Sequence, residues 1–344
     1  MFFMSINQTL DIQLFVGIDM SKKKFDACIL DLNGKKLGSK KFDNNTFGFD
    51  SFIKWVSIQY IEGEIIFCME HTGVYSRLLG MYIQDEGYNL CMESGFVIKR
   101  SGGIVKGKND KIDAYRIADF ALCNKHRIKI TPLYDAQLVE LHDLMSCRRR
   151  LKNQLKALEV PVNEAKCYAG EKAYQIIKQA SQAAIKGIKD AIKETDKLID
   201  EKVKENFQWK ENLELAQSVK GIGRVTSLWM LVYTRNFDAK MNARKFASLV
   251  GIAPFSTESG SSIRKGSHVS NHAHRFLKGL LHACVMSALR NSSKIKAYHI
   301  KKKKEGKKGF VVMNNIKNKL VQTVFAVVRS REPYQDTFVH KLAV

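Results

Sequence analysis

Lys106-Gly107-Lys108-Asn109-Asp110-Lys111-Ile112-Asp113-Ala114-Tyr115-Arg116 opens a helical pattern that continues through Ile117, Ala118, Phe120, Ala121 and Leu122. Asp110 and Asp113 stand three apart, so both carboxylates fall on one face of that helix. Lys108 and Lys111 frame them with positive charge. A carboxylate pair in a cationic frame suits a magnesium ion gripping a phosphodiester. Acids at a helix start also favour the positive end of the helix dipole, and at this point both readings stand.

Upstream of this segment the apolar runs are short and strand-like. Residues 13–19 form one that ends on Asp19, 25–30 a second, and Asn33-Gly34 turns the chain into a third over 36–42. Helical spacing follows from Phe47 to Tyr60. The run Ile65-Ile66-Phe67-Cys68-Met69 ends on Glu70, a helix carries Tyr75, Leu78, Leu79, Tyr82 and Ile83, and a last strand covers 88–92. The order is β-β-β-α-β-α-β-α. Asp19 and Glu70 thus end two buried runs, where a carboxylate is costly to keep charged unless it is hydrogen-bonded or holds a cation. Four acids, Asp19, Glu70, Asp110 and Asp113, supply the hard oxygen ligands that a two-ion magnesium site requires.

The 344-residue chain is long enough for two domains with cores, and 45% of it is apolar. Its net charge of +23 speaks of partners, and nucleic acid is the first expected, because neutralising phosphates releases counterions. A basic membrane-surface protein ranks below, since neither end carries a basic amphipathic helix or a lipidation signal. The seven cysteines form no Cys-x-x-Cys and read as reduced, buried thiols. No signal peptide is expected, and no apolar run reaches the ~18 residues of a membrane span. A cytoplasmic, nucleoid-associated protein is the expectation.

From Gln137 to Val162 the apolar residues recur with heptad spacing, interrupted by Arg148-Arg149-Arg150, and Ile185, Ile188, Ile192 and Ile199 match them. With Pro161 and Gly170 between, two long helices form either a hairpin or a dimeric coiled coil. The triple arginine faces phosphates or solvent. Next, Val219-Lys220-Gly221-Ile222-Gly223-Arg224 joins two helices as in a helix-hairpin-helix unit, whose glycines let backbone N–H groups meet a phosphate. The Ser-rich stretch 255–262 reads as a loop, followed by Arg264, Lys265, His268, Arg275 and Lys278. A serine there could attack a phosphodiester, with nearby cations stabilising the developing charge, although spacing does not pick one serine from four. His272 and His274 read as phosphate-facing or helix-surface residues. The run Lys301–Lys304 with Lys307 and Lys308 reads as a phosphate contact.

Val16-Gly17-Ile18-Asp19, Met69-Glu70-His71-Thr72-Gly73-Val74-Tyr75 and Lys108-Asn109-Asp110-Lys111-Ile112-Asp113-Ala114 resemble the three blocks of the DEDD-type insertion-sequence transposases, the insertion-sequence-110 family. Leu249-Val250-Gly251-Ile252-Ala253-Pro254, then Glu258-Ser259-Gly260 and a basic stretch, resembles that family's C-terminal domain. Asn109 replaces the usual threonine and His71 a small residue; Ala273-His274 replaces a Gly-Asn pair and Lys278 an arginine. His71 reads as a core residue or a support for the carboxylates.

The resemblance implies an α/β plus α fold. Residues 1–135 would be an RNase H-like, RuvC-like mixed-sheet domain, 136–208 the helical hairpin or coiled coil, and 209–344 a mainly α transposase domain. It implies strand cleavage and exchange with magnesium on Asp19, Glu70, Asp110 and Asp113, and Ser259 as nucleophile. Nucleic acid would touch Lys108, Lys111, Arg148, Arg149, Arg150, Gly221, Gly223, Arg224, Arg264, Lys265, Arg275 and Lys278. The partners implied are DNA, a structured non-coding guide RNA, and further copies of the chain in dimers or tetramers. A metal-dependent junction nuclease using activated water and a non-catalytic nucleic-acid-binding protein are the other classes that the residues allow.

Overall fold

The computed structural model describes residues 11–59, 63–71, 73–102, 110–259, 263–270 and 273–335; the side chains of 110, 111, 256–259 and 263–267 are outside that description. The chain divides into two compact units, 1–135 and 136–344.

In the first unit, strands β1 (Ile12–Met20), β2 (Lys24–Asp31) and β3 (Lys36–Asp43) form an antiparallel meander. Helix α1 (Thr46–Ile58) follows, then β4 (Glu64–Glu70), α2 (Arg77–Asp85), β5 (Asn89–Glu93), α3 (Gly95–Ser101) and α4 (Asp110–Cys123). Strands β4 and β5 are parallel to β1, giving one mixed sheet in the order β3-β2-β1-β4-β5. Helix α3 has no counterpart in the sequence reading, because its seven residues bury only Ile98 and leave no periodic stripe.

Alternation along the strands divides the core into two layers. Leu14, Val16, Ile18 and Met20 of β1 and Phe67 and Met69 of β4 join Phe49, Phe52, Leu79 and Ile83 of α1 and α2. Phe15, Cys28, Ile66, Cys68 and Cys91 join Ala114, Ile117, Ala118 and Ala121 of α4. Between strand and helix on that second side stands Gly17. A Cβ there would lie 2.2 Å from both the Ala114 carbonyl oxygen and the Ala118 nitrogen. The backbone of α4 therefore lies directly on β1, which only glycine in the strand and alanines in the helix permit.

The second unit begins with a helical hairpin, α5 (Ala136–Tyr168) and α6 (Gly170–Glu205). Pro161 lies inside α5, and the chain turns only at Gly170, with φ +68°. The sequence reading, which set Pro161 between the helices, is corrected here. Proline costs the helix one hydrogen bond, and the flanking Leu155 and Val162 are buried all the same. Arg148 bridges the helices: its Nε donates to Asp196 of α6 at 2.7 Å. After α7 (Phe207–Ser218) and α8 (Arg224–Thr234), Arg224 also donates to Asp196, at 3.2 Å, and to Asp200. Burial would raise the Asp196 pKa, but the bonds and charge of Arg148, then of Arg224, hold it below the ordinary value.

Helix α9 (Ala243–Val250) leads into an antiparallel hairpin of β6 (Pro254–Ser259) and β7 (Ile263–Val269), and α10 (Arg275–Asn291), α11 (Ser293–Lys304) and α12 (Gly309–Ser330) close the unit. The stretch read as a Ser-rich loop is thus mostly paired strand. Its small polar residues read as loop by composition, and the cross-strand pairing that makes them strand is not local. Leu138, Leu141, Met145 and Ile199 of the α5–α6 hairpin share one core with α7–α12.

Two stability measurements follow. Gly17→Ala should destabilise the first unit by about 3 kcal/mol, since its methyl meets backbone that cannot move aside; urea unfolding read at Trp55 checks this. Asp196→Ala should cost the second unit about 2 kcal/mol through the lost charge-assisted bonds. Because the native Asp196 pKa is depressed, that contribution is complete above the ordinary carboxylate range. It fades as pH falls through the native value, which acid titration of both proteins would read.

Candidate functional site

Continuing the ladders to the carboxyl ends of β1 and β4 places a row of charged residues on the face covered by α4. Lys41 pairs with Asp26, Asp26 with Asp19, and Glu70 with Glu93. Gly17 and Ile18 pair with Cys68 and Met69, so the next step of that ladder sets Asp19 beside Glu70. Neighbouring strands lie ~4.8 Å apart, and the row reads Lys41, Asp26, Asp19, Glu70, Glu93 across all five strands. Like charges placed directly opposite one another repel, so this row needs cations. Lys41 supplies one: its Nζ stands 3.1 Å from Asp26, whose side chain is 6% exposed.

The other acids are held by local bonds. Glu93 accepts from the Ser94 N–H at 2.8 Å. Asp113, half-buried on α4, accepts from Arg116 at 2.8 Å. Glu70 rests against Gly95 at the start of α3, where a Cβ would lie 1.9 Å from its Oε1. Asp26, Lys41 and Glu93 are absent from the sequence reading. The signal was present: Asp26 is the one acid inside the apolar run 25–30, and Glu93 follows Cys91-Met92 as Glu70 follows Cys68-Met69.

Asp110 is the first residue of α4, and its side chain, like that of Lys111, lies outside the described residues, as does the whole of Lys108. Among the described residues no group of three or more His, Cys, Asp or Glu is placed to hold a metal ion. The donor types suit magnesium, since carboxylates offer only hard oxygen: Asp19 and Glu70 end neighbouring strands, and Asp113 stands on α4. His71 is exposed and is therefore not a core residue; its backbone N–H donates to the Glu93 carbonyl at 2.9 Å.

In the second unit Ser259 ends β6, paired with Ile263, while Arg264 and Lys265 pair with Glu258 and Thr257; the side chains of Ser259, Arg264 and Lys265 lie outside the described residues, as does His272. The hairpin is followed by His274, which caps α10: its Nδ1 accepts from the Leu277 N–H at 3.3 Å. That bond fixes the tautomer, so Nε2–H donates to the Tyr233 hydroxyl at 2.8 Å. Burial, then the charge of Arg149 and His142, lowers the His274 pKa despite a backbone bond that raises it. Asparagine is itself a strong N-cap, so either residue could accept the Leu277 N–H at this helix start. Ala273 packs against Gly251, where a Cβ would come within 2.2 Å of its methyl.

The cationic residues divide. Arg148 and Arg224 are held by Asp196 and Asp200, and Arg149 stacks on Phe276 at 3.8 Å. Arg150 and Arg275 are exposed and Lys278 half-buried. Gly221, with φ +98°, packs against Cys284 and Ala288, whereas Gly223, the N-cap of α8, faces open space.

His274→Asn keeps the cap acceptor but cannot titrate. A depressed native imidazole pKa contributes stability that is complete above the ordinary value near ~6.5 and is lost as pH falls through the native value. The wild-type chain should therefore lose stability from pH 7 to 5, and the variant should lose less. Thermal unfolding across that range reads the difference.

Comparison with known proteins supplies the identity. A family model for DEDD-type IS110 transposases matches residues 16–163, and a second, described as transposase IS116/IS110/IS902 family, matches residues 213–300. The pilin gene-inverting proteins of Moraxella lacunata and Moraxella bovis are each 24% identical over 332 residues, covering 95% of this chain and 99% of theirs. The uncharacterized 44.8 kDa protein of insertion element IS116 from Streptomyces clavuligerus is 23% identical, covering 93% of this chain and 95% of its own. With both units matched in order to one family, the chain belongs to the IS110/IS116 transposases and is an enzyme that acts on DNA.

Proposed function

We propose that this transposase cleaves and exchanges DNA strands with magnesium held by Asp19, Glu70, Asp110 and Asp113 and with Ser259 as the nucleophile. The observation that carries the metal half is that Asp19 and Glu70 each follow directly on the last paired residues of β1 and β4, Ile18 and Met69, on the face that α4 packs against. The sheet order β3-β2-β1-β4-β5, with a meander joined to two parallel strands and helices on both faces, supports an RNase H-like, RuvC-like first unit. When bound, magnesium would offset charge on the phosphate and on the attacking and leaving oxygens. The residues of the chain orient that charge: Lys41 neutralises Asp26, and Gly95 leaves the volume that the Glu70 carboxylate fills.

In the reaction, the Ser259 oxygen bonds to phosphorus and one phosphorus–oxygen bond to deoxyribose breaks. The serine gives up its proton and the departing sugar oxygen gains one. The protein–DNA ester preserves the bond energy for rejoining to a new partner strand. Arg264 and Lys265, which follow Ser259 in the same hairpin, would offset the charge that develops.

A guide RNA and assembly into dimers or tetramers complete the reading. The charge of +23 supports nucleic-acid partners in general, and the guide RNA follows from the family resemblance alone. Val160, Tyr168, Ile176 and Ile177, apolar and exposed far along the α5–α6 hairpin, support the second.

Three variants test the proposal on the element's own DNA ends. Ser259→Ala should abolish both strand exchange and any protein–DNA adduct on denaturing gels; cleavage that persists without an adduct would favour an activated-water nuclease instead. Asp113→Asn should lower exchange at least 100-fold while leaving salt-sensitive DNA binding intact. Gly95→Ala should change folding stability by under about 1 kcal/mol, because the nearest atoms its methyl meets are the far end of the Glu70 side chain. It should nevertheless raise the magnesium concentration needed for half-maximal cleavage, as the Glu70 carboxylate is pushed aside.

A further inference from the structure

Strand β2 buries a carboxylate whose chain neighbours are apolar. Asp26 is 4% exposed and stands between Phe25 and Ala27, both buried. Across the sheet it lies opposite two charged residues, Asp19 of β1 on one side and Lys41 of β3 on the other. A like charge directly opposite is unfavourable, and a buried carboxylate is costly without a counter-charge. Lys41 supplies that charge, with Nζ 3.1 Å from Asp26 Oδ2. Packing does not require the arrangement, because an apolar pair of similar volume at 26 and 41 would relieve both costs.

The order of the strands says what the pair does. Alternation puts Asp26 on the side of β2 that carries Cys28 and Leu30, which pack with α4, and Asp19 on the same side as Phe15 and Gly17. Lys41 enters this row from the β3 end, so Asp26 is the first carboxylate that it meets. The next is Asp19, two strands away. That is roughly 10 Å between backbones, a gap that an extended lysine and an aspartate close between them. An ammonium seated on a carboxylate oxygen must be displaced before a metal ion takes that oxygen. We propose that Asp26 is a positioning residue for the metal site: by binding Lys41 it competes with Asp19 for the ammonium, and so favours a divalent cation on the Asp19 oxygens. The inference rests on the reading that Asp19 holds magnesium. Asp26 acts through Lys41 and does not itself touch the cation.

The test is manganese binding to the full-length chain without DNA, read by titration calorimetry. Asp19→Asn should lose the tightest binding; if it keeps the wild-type affinity, the metal reading fails and this proposal with it. Asp26→Asn keeps the shape of the side chain but removes the charge that holds Lys41, and its affinity should fall about tenfold. Asp26→Asn combined with Lys41→Met removes the pair as a whole and should bind manganese as the wild type does. Recovery on deleting a second side chain is what a merely structural role of Asp26 would not give. Lys41→Met alone should bind at least as tightly as the wild type, and it decides the matter if Asp26→Asn does not fold. Three results would each overturn the proposal while Asp19→Asn, weakened as expected, leaves the metal site standing. They are unchanged affinity in Asp26→Asn, a double variant as weak as the single one, and weaker binding by Lys41→Met.

Discussion

The contact between Gly17 and the backbone of α4 is the constraint on which the first unit depends. A sheet and a helix ordinarily meet through side chains, about 10 Å apart. Here a strand with no side chain at one position meets a helix with methyl groups at Ala114 and Ala118, and the two backbones touch. Asp19 follows Gly17 by two residues on the same face of β1, and Asp113 precedes Ala114 by one. Close approach thus packs the helix that carries Asp113 directly against the strand that carries Asp19. The second glycine of the site, Gly95, does something different: it gives space to a carboxylate, not to a backbone. The first glycine serves the packing of helix on strand, and the second leaves room for the Glu70 carboxylate.

The second unit is organised by ion pairs and caps instead. Asp196 is shared by Arg148 and Arg224, so a carboxylate of α6 ties α5 to the first turn of α8. Two of the arginines that a reading by composition would give to phosphates are thereby engaged within the protein. Arg264 and Lys265 lie in the β6–β7 hairpin itself, and Arg275 on α10 is exposed. Charge counts alone do not separate these two uses; pairing does.

The strands of the first unit, and its helices other than α3, were legible because their apolar runs are short and are punctuated by Asn33-Gly34 and Gly73. Asp19 and Glu70 drew notice as acids ending buried runs. The cross-strand row was not legible, since register is a tertiary property: nothing local in 24–31 says that Asp26 lies opposite Asp19, or in 89–93 that Glu93 lies beside Glu70. Pro161 misled, because its local preference for a helix end is outweighed by burial of the residues around it. The β6–β7 hairpin was hidden by serines that read as loop. His274 shows the opposite case, a residue whose cap at the start of α10 is visible only in the fold.

The central claim is that the carboxylates at the ends of β1 and β4, with those at the start of α4, gather divalent cations. Anomalous scattering from crystals of the full-length chain grown with manganese tests it most directly. The expected result is metal density bonded to the Asp19 and Glu70 carboxylates and bridged to α4. Crystals that hold manganese elsewhere but none at these oxygens, with Asp113 still closed on Arg116, would contradict it.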